Sequence, residues 1–191
     1  MSILTEALPE TVTIAGKSCP IHTDFRVWIR FAQLAEDNSL SIPSRLVQII
    51  KLIYGYLPPK LDEAVAALLQ FYSVGSDAKS RAGASKSGQQ KRIFDYEADA
   101  CYIYAAFLAQ YNIDLCTTSL HWWKFKALFS ALDENMQFVK ILGYRSVELS
   151  KIKDKEQRAF YRRMQKNYAL PDMRSEEERD AAVTDALQQL F

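Results

Sequence analysis

Leu120-His121-Trp122-Trp123-Lys124-Phe125-Lys126-Ala127-Leu128-Phe129 is the densest aromatic stretch of the chain. It holds two of the three tryptophans and one of the two histidines. Read with its surroundings, residues 119–132 form a helix, as does most of the chain around them. The stretch joins large aromatic and basic groups without a set of side chains that could run a reaction. It therefore points to a protein that acts by surface contact and not by chemistry.

Working towards the N-terminus, the spacing of apolar residues predicts further helices. One begins near Asp95, with Asp95, Glu97 and Asp99 in its first turns, where the positive end of the helix dipole favours acidic residues. It runs through Tyr96, Ile103, Phe107 and Leu108 and stops near Asn112. Residues 75–90 contain no large apolar side chain and read as a mobile loop, because nothing there offsets the entropy of ordering it. Before the loop, Leu61, Val65, Leu68, Leu69 and Tyr72 predict an inward stripe. Leu46, Ile49, Ile50 and Ile53 predict another, opened by Pro43 and closed by Gly55. Phe25, Trp28, Ile29 and Ala32 mark a first helix, capped by Thr23 or Asp24 and ended at Asp37-Asn38-Ser39. Ahead of it, Thr11-Val12-Thr13-Ile14 and Ser18-Cys19-Pro20-Ile21 alternate about the turn Ala15-Gly16-Lys17. This is a short β-hairpin that must rest on helices to be stable.

Working towards the C-terminus, a helix is predicted to end at Gly143, and a basic helix covers about residues 153–168. Pro171 interrupts the chain. Ser175 and Glu178 then have the spacing of a capping box, and Val183, Ala186, Leu187 and Leu190 form one stripe. The expected fold is mainly α: a single helical domain over 1–170 with an N-terminal hairpin, followed by an acidic amphipathic helix over 171–191.

Composition narrows the function classes. A hydrophobic content of 49% supports a sizeable core, and a formal net charge of +1 is far from that of a dedicated nucleic-acid binder. Three scattered cysteines, Cys19, Cys101 and Cys116, fit buried thiols better than disulfides or a zinc site. Residues 1–20 lack the pattern of a secretion signal, and no run is long and apolar enough for a membrane span. His22 and His121 lie in no metal-binding or catalytic frame, and no phosphate-binding glycine loop is present. A Cys116–His121 pair and a cation site at Asp95, Glu97 and Asp99 both have simpler structural explanations. The reading assigns no catalytic, cofactor-binding or metal-ligating residue and no cofactor.

Charge is instead unevenly distributed. Residues 151–168 carry seven basic and two acidic side chains, a net of +5, while 172–185 carry two basic and six acidic, a net of −4. Residues 75–92 carry a net of +4. Phe160, Tyr161 and Tyr168 interleave with the basic helix, an arrangement that can stack on bases but more often marks a core face. The acidic segment can lie against the basic helix or be displaced by a partner. Val183, Leu187, Leu190 and Phe191 either complete the core or offer an apolar arm to another chain. With Lys155, Arg158, Arg162 and Arg163, they are the candidate partner-binding residues.

Several motifs resemble the gene-product-fifteen family of tailed bacteriophages. They are residues 4–9 and 14–26, Asp95-Tyr96-Glu97-Ala98-Asp99 with Tyr102–Phe107, and Leu120–Phe125. Further matches are Gly143-Tyr144-Arg145, Lys151–Lys155, Phe160-Tyr161 and Tyr168-Ala169-Leu170-Pro171. The resemblance implies a tail morphogenesis protein, commonly read as a tail-assembly chaperone. Such a protein binds the tape-measure protein and helps recruit tail-tube subunits in the host cell cytoplasm, without catalysis. It leaves homo-oligomerisation open. The alternatives are a minor structural protein of the virion tail and a nucleic-acid-associated protein using the basic helix, though overall charge weighs against nucleic acid.

Overall fold

The computed structural model describes residues 3–73 and 92–171. The described chain opens with a hairpin of β1 (Thr11–Ile14) and β2 (Lys17–Pro20) and continues through seven α-helices. These are α1 (Phe25–Glu36), α2 (Ile42–Tyr54), α3 (Leu61–Tyr72), α4 (Ala100–Tyr111), α5 (Trp122–Ser130), α6 (Gln137–Ser146) and α7 (Lys155–Asn167). The mainly helical class and the N-terminal hairpin are as the sequence predicts. The loop expected at 75–90 lies outside the described residues, and so does the helix expected beyond Pro171.

The hairpin pairs Thr11 with Pro20 and Ile14 with Lys17, leaving Ala15 and Gly16 as a two-residue turn. Both turn residues have positive φ, 52° and 73°, which suits the twist of the flanking strands. Glycine takes that conformation freely, whereas the Ala15 Cβ is crowded by it. Two strands cannot bury a core alone, and this pair rests on α3. Ile14 is buried, and the Ala15 N–H donates to Glu63 Oε2 at 2.5 Å.

Most helix ends follow the residues expected to make them. Asp24 caps α1 by accepting from the Arg26 N–H, and Pro43 lies in the first turn of α2, whose cap, Ser41, the sequence reading did not name. Gly55 and Asn112 close α2 and α4 in the left-handed conformation that ends helices.

Four expectations are corrected. Leu61 and Leu69 do not face inward: they are 42% and 52% exposed, and α3 buries Ala64, Leu68 and Phe71. The fourth helix starts at Ala100, since Asp95 accepts from the Glu97 and Ala98 amides and holds residues 95–99 in a turn. Gly143 does not end a helix, because α6 continues to Ser146 with no steric demand for glycine. Cys101 and Cys116 are exposed and Cys19 is half-buried, so the thiols are not core residues.

The aromatic stretch, whose surroundings the sequence left open, lies inside: Trp122, Trp123 and Phe125 are buried, so this segment is the centre of the core. Phe125 stacks on Phe25 at 4.8 Å and on Phe107 at 5.1 Å, joining α1, α4 and α5. Trp28 stacks on Phe71 at 5.0 Å and on Trp122 at 6.0 Å, adding α3. Each indole N–H has a carbonyl acceptor. Trp28 donates to His22, Trp122 to Tyr72 and Trp123 to Phe71. The last two are carbonyls in the last turn of α3, where helix carbonyls lack the usual i+4 amide partner.

Replacing Ala15 by Asn relieves the left-handed turn without altering the backbone bond to Glu63. The Ala15→Asn variant is expected to gain up to about 1 kcal/mol, since the short amide side chain of asparagine hydrogen-bonds locally and offsets part of the cost of the left-handed conformation. Urea unfolding should register the gain as a higher midpoint at unchanged slope.

Candidate functional site

The candidate surface is the outer face of α7, and its position is set by a buried ion pair. Asp99, 1% exposed, lies just before α4, and Arg145, 6% exposed, lies in the last turn of α6. Arg145 Nη1 donates to Asp99 Oδ2 at 2.6 Å and Nη2 to Oδ1 at 2.9 Å, a two-point contact. Two further donors reach backbone: Nη1 to the Ile93 carbonyl at 3.1 Å and Nε to the Tyr168 carbonyl at 2.6 Å. Asp99 Oδ2 also accepts from the Asp95 N–H at 3.0 Å. One guanidinium thus ties the turn before α4, the end of α6 and the residue that closes α7.

From that anchor α7 lies along α6. Asp154 caps it by accepting from the Gln157 N–H at 2.6 Å. Tyr144 of α6 stacks on Tyr168 at 6.0 Å and meets Phe160 and Tyr161 edge-on. Gln165 Nε2 donates to the carbonyls of Tyr144 and Val147 at 2.9 and 2.7 Å. No residue of α7 is buried. Its attachment therefore rests on half-buried rings and a few hydrogen bonds, and such a helix opens at lower cost than the core helices.

The predicted basic residues divide on this helix. Lys155, Arg162 and Arg163 are exposed, and Lys166 joins them. Lys155, Arg162 and Lys166 are seven and eleven positions apart, which places them on one stripe of a 3.6-residue turn. None of these four cations takes part in an ion pair among the described residues. Arg163 lies over the Phe160 ring at 5.9 Å, and Phe160 is 40% exposed. Arg158 departs from the expectation: it is half-buried and donates to the Ile152 carbonyl, so it steadies the start of α7. The candidate residues Val183, Leu187, Leu190 and Phe191 lie outside the described residues.

The groups weighed for chemistry have structural roles. His121 caps α5, its Nδ1 accepting from the Trp123 N–H at 3.0 Å, so the ring proton sits on Nε2 and faces the Pro9 carbonyl at 3.1 Å. Burial, followed by smaller charge effects that include Lys124, holds its pKa below the usual histidine value, while the Pro9 contact opposes the shift. Asp95 pairs with Arg92, and Asp99 with Arg145, so the acidic turn is engaged internally. Among the described residues, no group of three or more His, Cys, Asp or Glu side chains is placed to hold a metal ion. No described helix is long and apolar enough to cross a membrane.

A family model described as Bacteriophage Gp15 protein matches residues 4–170. The chain belongs to that family. The Gp15 family is a phage structural or morphogenesis family not known for enzymes. No curated protein and no solved structure matches the chain. The motifs that resemble the Gp15 family meet in space at two places. Asp95–Asp99, Gly143–Arg145 and Tyr168–Pro171 converge on the buried ion pair. Thr23–Arg26 and Leu120–Trp123 converge where the Phe25 N–H donates to the Leu120 carbonyl and the Trp122 N–H to the Thr23 carbonyl. There Arg26 Nη2 also donates to the carbonyls of Leu115, Cys116 and Thr118. These motifs build the scaffold that carries α7.

The ion pair was missed from sequence because Asp99 and Arg145 are 46 positions apart and each resembles an ordinary surface charge. The Arg145→Met variant should lose about 3–5 kcal/mol in urea unfolding, since it strands a buried carboxylate, and combining it with Asp99→Leu should recover most of that loss. A second expectation follows from His121, whose lowered pKa makes the folded state bind fewer protons than the unfolded state. Its contribution to stability is present above the usual histidine value of about 6.5 and is lost as pH falls through the lower folded value. His121→Asn retains a capping side chain and removes the titration. Thermal unfolding from neutral to mildly acidic pH should therefore show a smaller loss for the variant than for the native chain.

Proposed function

We propose that this chain is a tail-assembly chaperone that binds the phage tape-measure protein and helps recruit tail-tube subunits to it, in the host cell cytoplasm. The observation that carries the reading, alongside Gp15 membership, is the construction of α7. A helix with no buried residue presents a stripe of cations and the half-exposed Phe160 on a rigidly anchored frame. Such a face suits a long helical rod bearing acidic and apolar side chains, which would aggregate if left uncovered. Exchange for tube subunits requires modest affinity per copy, and many copies along one rod supply avidity.

The rings on α7 favour a protein partner over nucleic acid. Tyr168 stacks on Tyr144 and Tyr161 packs against it edge to face, so both rings are half-buried against α6 and not freely offered to bases. A minor structural role in the virion tail is the other reading consistent with Gp15 membership. Mass spectrometry of purified particles separates the two, because a chaperone is absent from the finished tail.

Co-expression with the tape-measure protein should keep that protein soluble and recover it in a pull-down. The Leu187→Asp/Leu190→Asp variant should recover less of it, as should Arg162→Glu/Arg163→Glu, whose sites lie on exposed helix where folding stability changes by no more than about 0.5 kcal/mol. A pull-down that recovers no tail protein defeats the proposal.

A further inference from the structure

We propose that the outer face of α7 is occupied by this chain's own acidic segment, residues 172–191, so that a partner must displace that segment to bind. The proposal joins three observations. First, Lys155, Arg162, Arg163 and Lys166 form a cationic surface with no ion pair among the described residues, in a molecule whose overall charge is only +1. Second, the strongest acidic run of the sequence follows directly. Asp172, Glu176, Glu177, Glu178, Asp180 and Asp185 stand against Arg174 and Arg179, for a net of −4. Third, the chain leaves the described structure at Pro171, three residues after Tyr168. Tyr168 is itself held beside α7 by Arg145 Nε and by Gln137, whose Nε2 donates to the Tyr168 hydroxyl at 3.1 Å.

The distances suit an intramolecular contact. At about 1.5 Å per residue, α7 is about 20 Å long, and a 20-residue segment starting near its C-terminal end can run back along its full length. Tethering at that point keeps the acidic side chains at about millimolar effective concentration, enough to populate a contact made from ion pairs that are individually weak. Phe160, half-exposed beside Arg163, gives the stripe of Val183, Leu187 and Leu190 an apolar neighbour. A contact of this kind is reversible and sensitive to salt. It also keeps an exposed cationic face from binding acidic surfaces indiscriminately. The contact is a property of the chain alone, so its test requires no tail protein and can fail or succeed independently of the chaperone reading.

The test is zero-length carbodiimide cross-linking of the full chain, with equal amounts of ordinary and nitrogen-15 protein mixed beforehand, read by peptide mass spectrometry. Cross-links are expected from Lys155 or Lys166 to Glu176, Glu177, Glu178 or Asp180, in peptide pairs of a single isotope. Their yield should fall about threefold or more on moving from low salt to about 0.5 M, where the screening length is below about 5 Å. Arg162→Glu/Arg163→Glu should remove most of the yield, and adding Glu177→Arg/Glu178→Arg should restore it by exchanging the charges. Three results would each overturn the proposal: no such cross-links, cross-links in mixed-isotope pairs in the proportion expected for two chains, or a yield indifferent to salt and charge reversal.

Discussion

A carboxylate and a guanidinium withdrawn from water, Asp99 and Arg145, tie α6 and the end of α7 to the turn that precedes α4. The cost of burying each charge is large, and it is offset by the two-point contact together with the Arg145 Nη1 and Nε bonds to the carbonyls of Ile93 and Tyr168. Those backbone bonds give the pair its geometric consequence. Its partners are the turn at 93–99, the end of α6 and the residue closing α7, so satisfying the charges fixes three segments against one another. An apolar replacement of similar volume could contribute comparable stability but would not specify the same register so narrowly.

The rest of the body depends on a different kind of contact. Stacked rings from four helices, centred on Trp28, Trp122 and Phe125, fill the interior, and each indole N–H bonds to a backbone carbonyl, His22 before α1 or Phe71 and Tyr72 at the end of α3. The two arrangements divide the work of the fold. The aromatic cluster holds α1, α3, α4 and α5 together and reaches α6 through Phe138, and the ion pair fixes the end of α6 and the close of α7 against the turn before α4. The result is a firm body carrying a helix held only by half-buried contacts, with cations on its free side.

Helix existence and most helix ends were legible because their causes are local. Asp24, Pro43, Gly55 and Asn112 act within a turn of their own position, and the turn at Ala15-Gly16 closes strands only two residues apart. The failures were equally physical. Gly143 resembles a helix end, yet the contacts of Ile141 and Arg145 carry α6 past it. Asp95, Glu97 and Asp99 resemble a helix start, but Asp95 closes a turn and Asp99 is drawn inward by Arg145. Among the candidate partner residues, Lys155, Arg162 and Arg163 are exposed as a surface role requires. Arg158 is not, because a carbonyl two positions before Asp154 lies within reach of its side chain.

The amino-acid order by itself determined the mainly helical class, the N-terminal hairpin, the charge polarity between residues 151–168 and 172–185, and the motifs that resemble the Gp15 family. All of these depend on neighbours within a few turns of chain or on composition. Only the tertiary structure decided that the Trp122-Trp123 segment is core, that Leu61 and Leu69 face outward, and that Asp99 and Arg145 form a buried pair. Hydrophobic periodicity identifies a face but not what covers it, and a charge gains its partner only when segments far apart in sequence are brought within bonding distance.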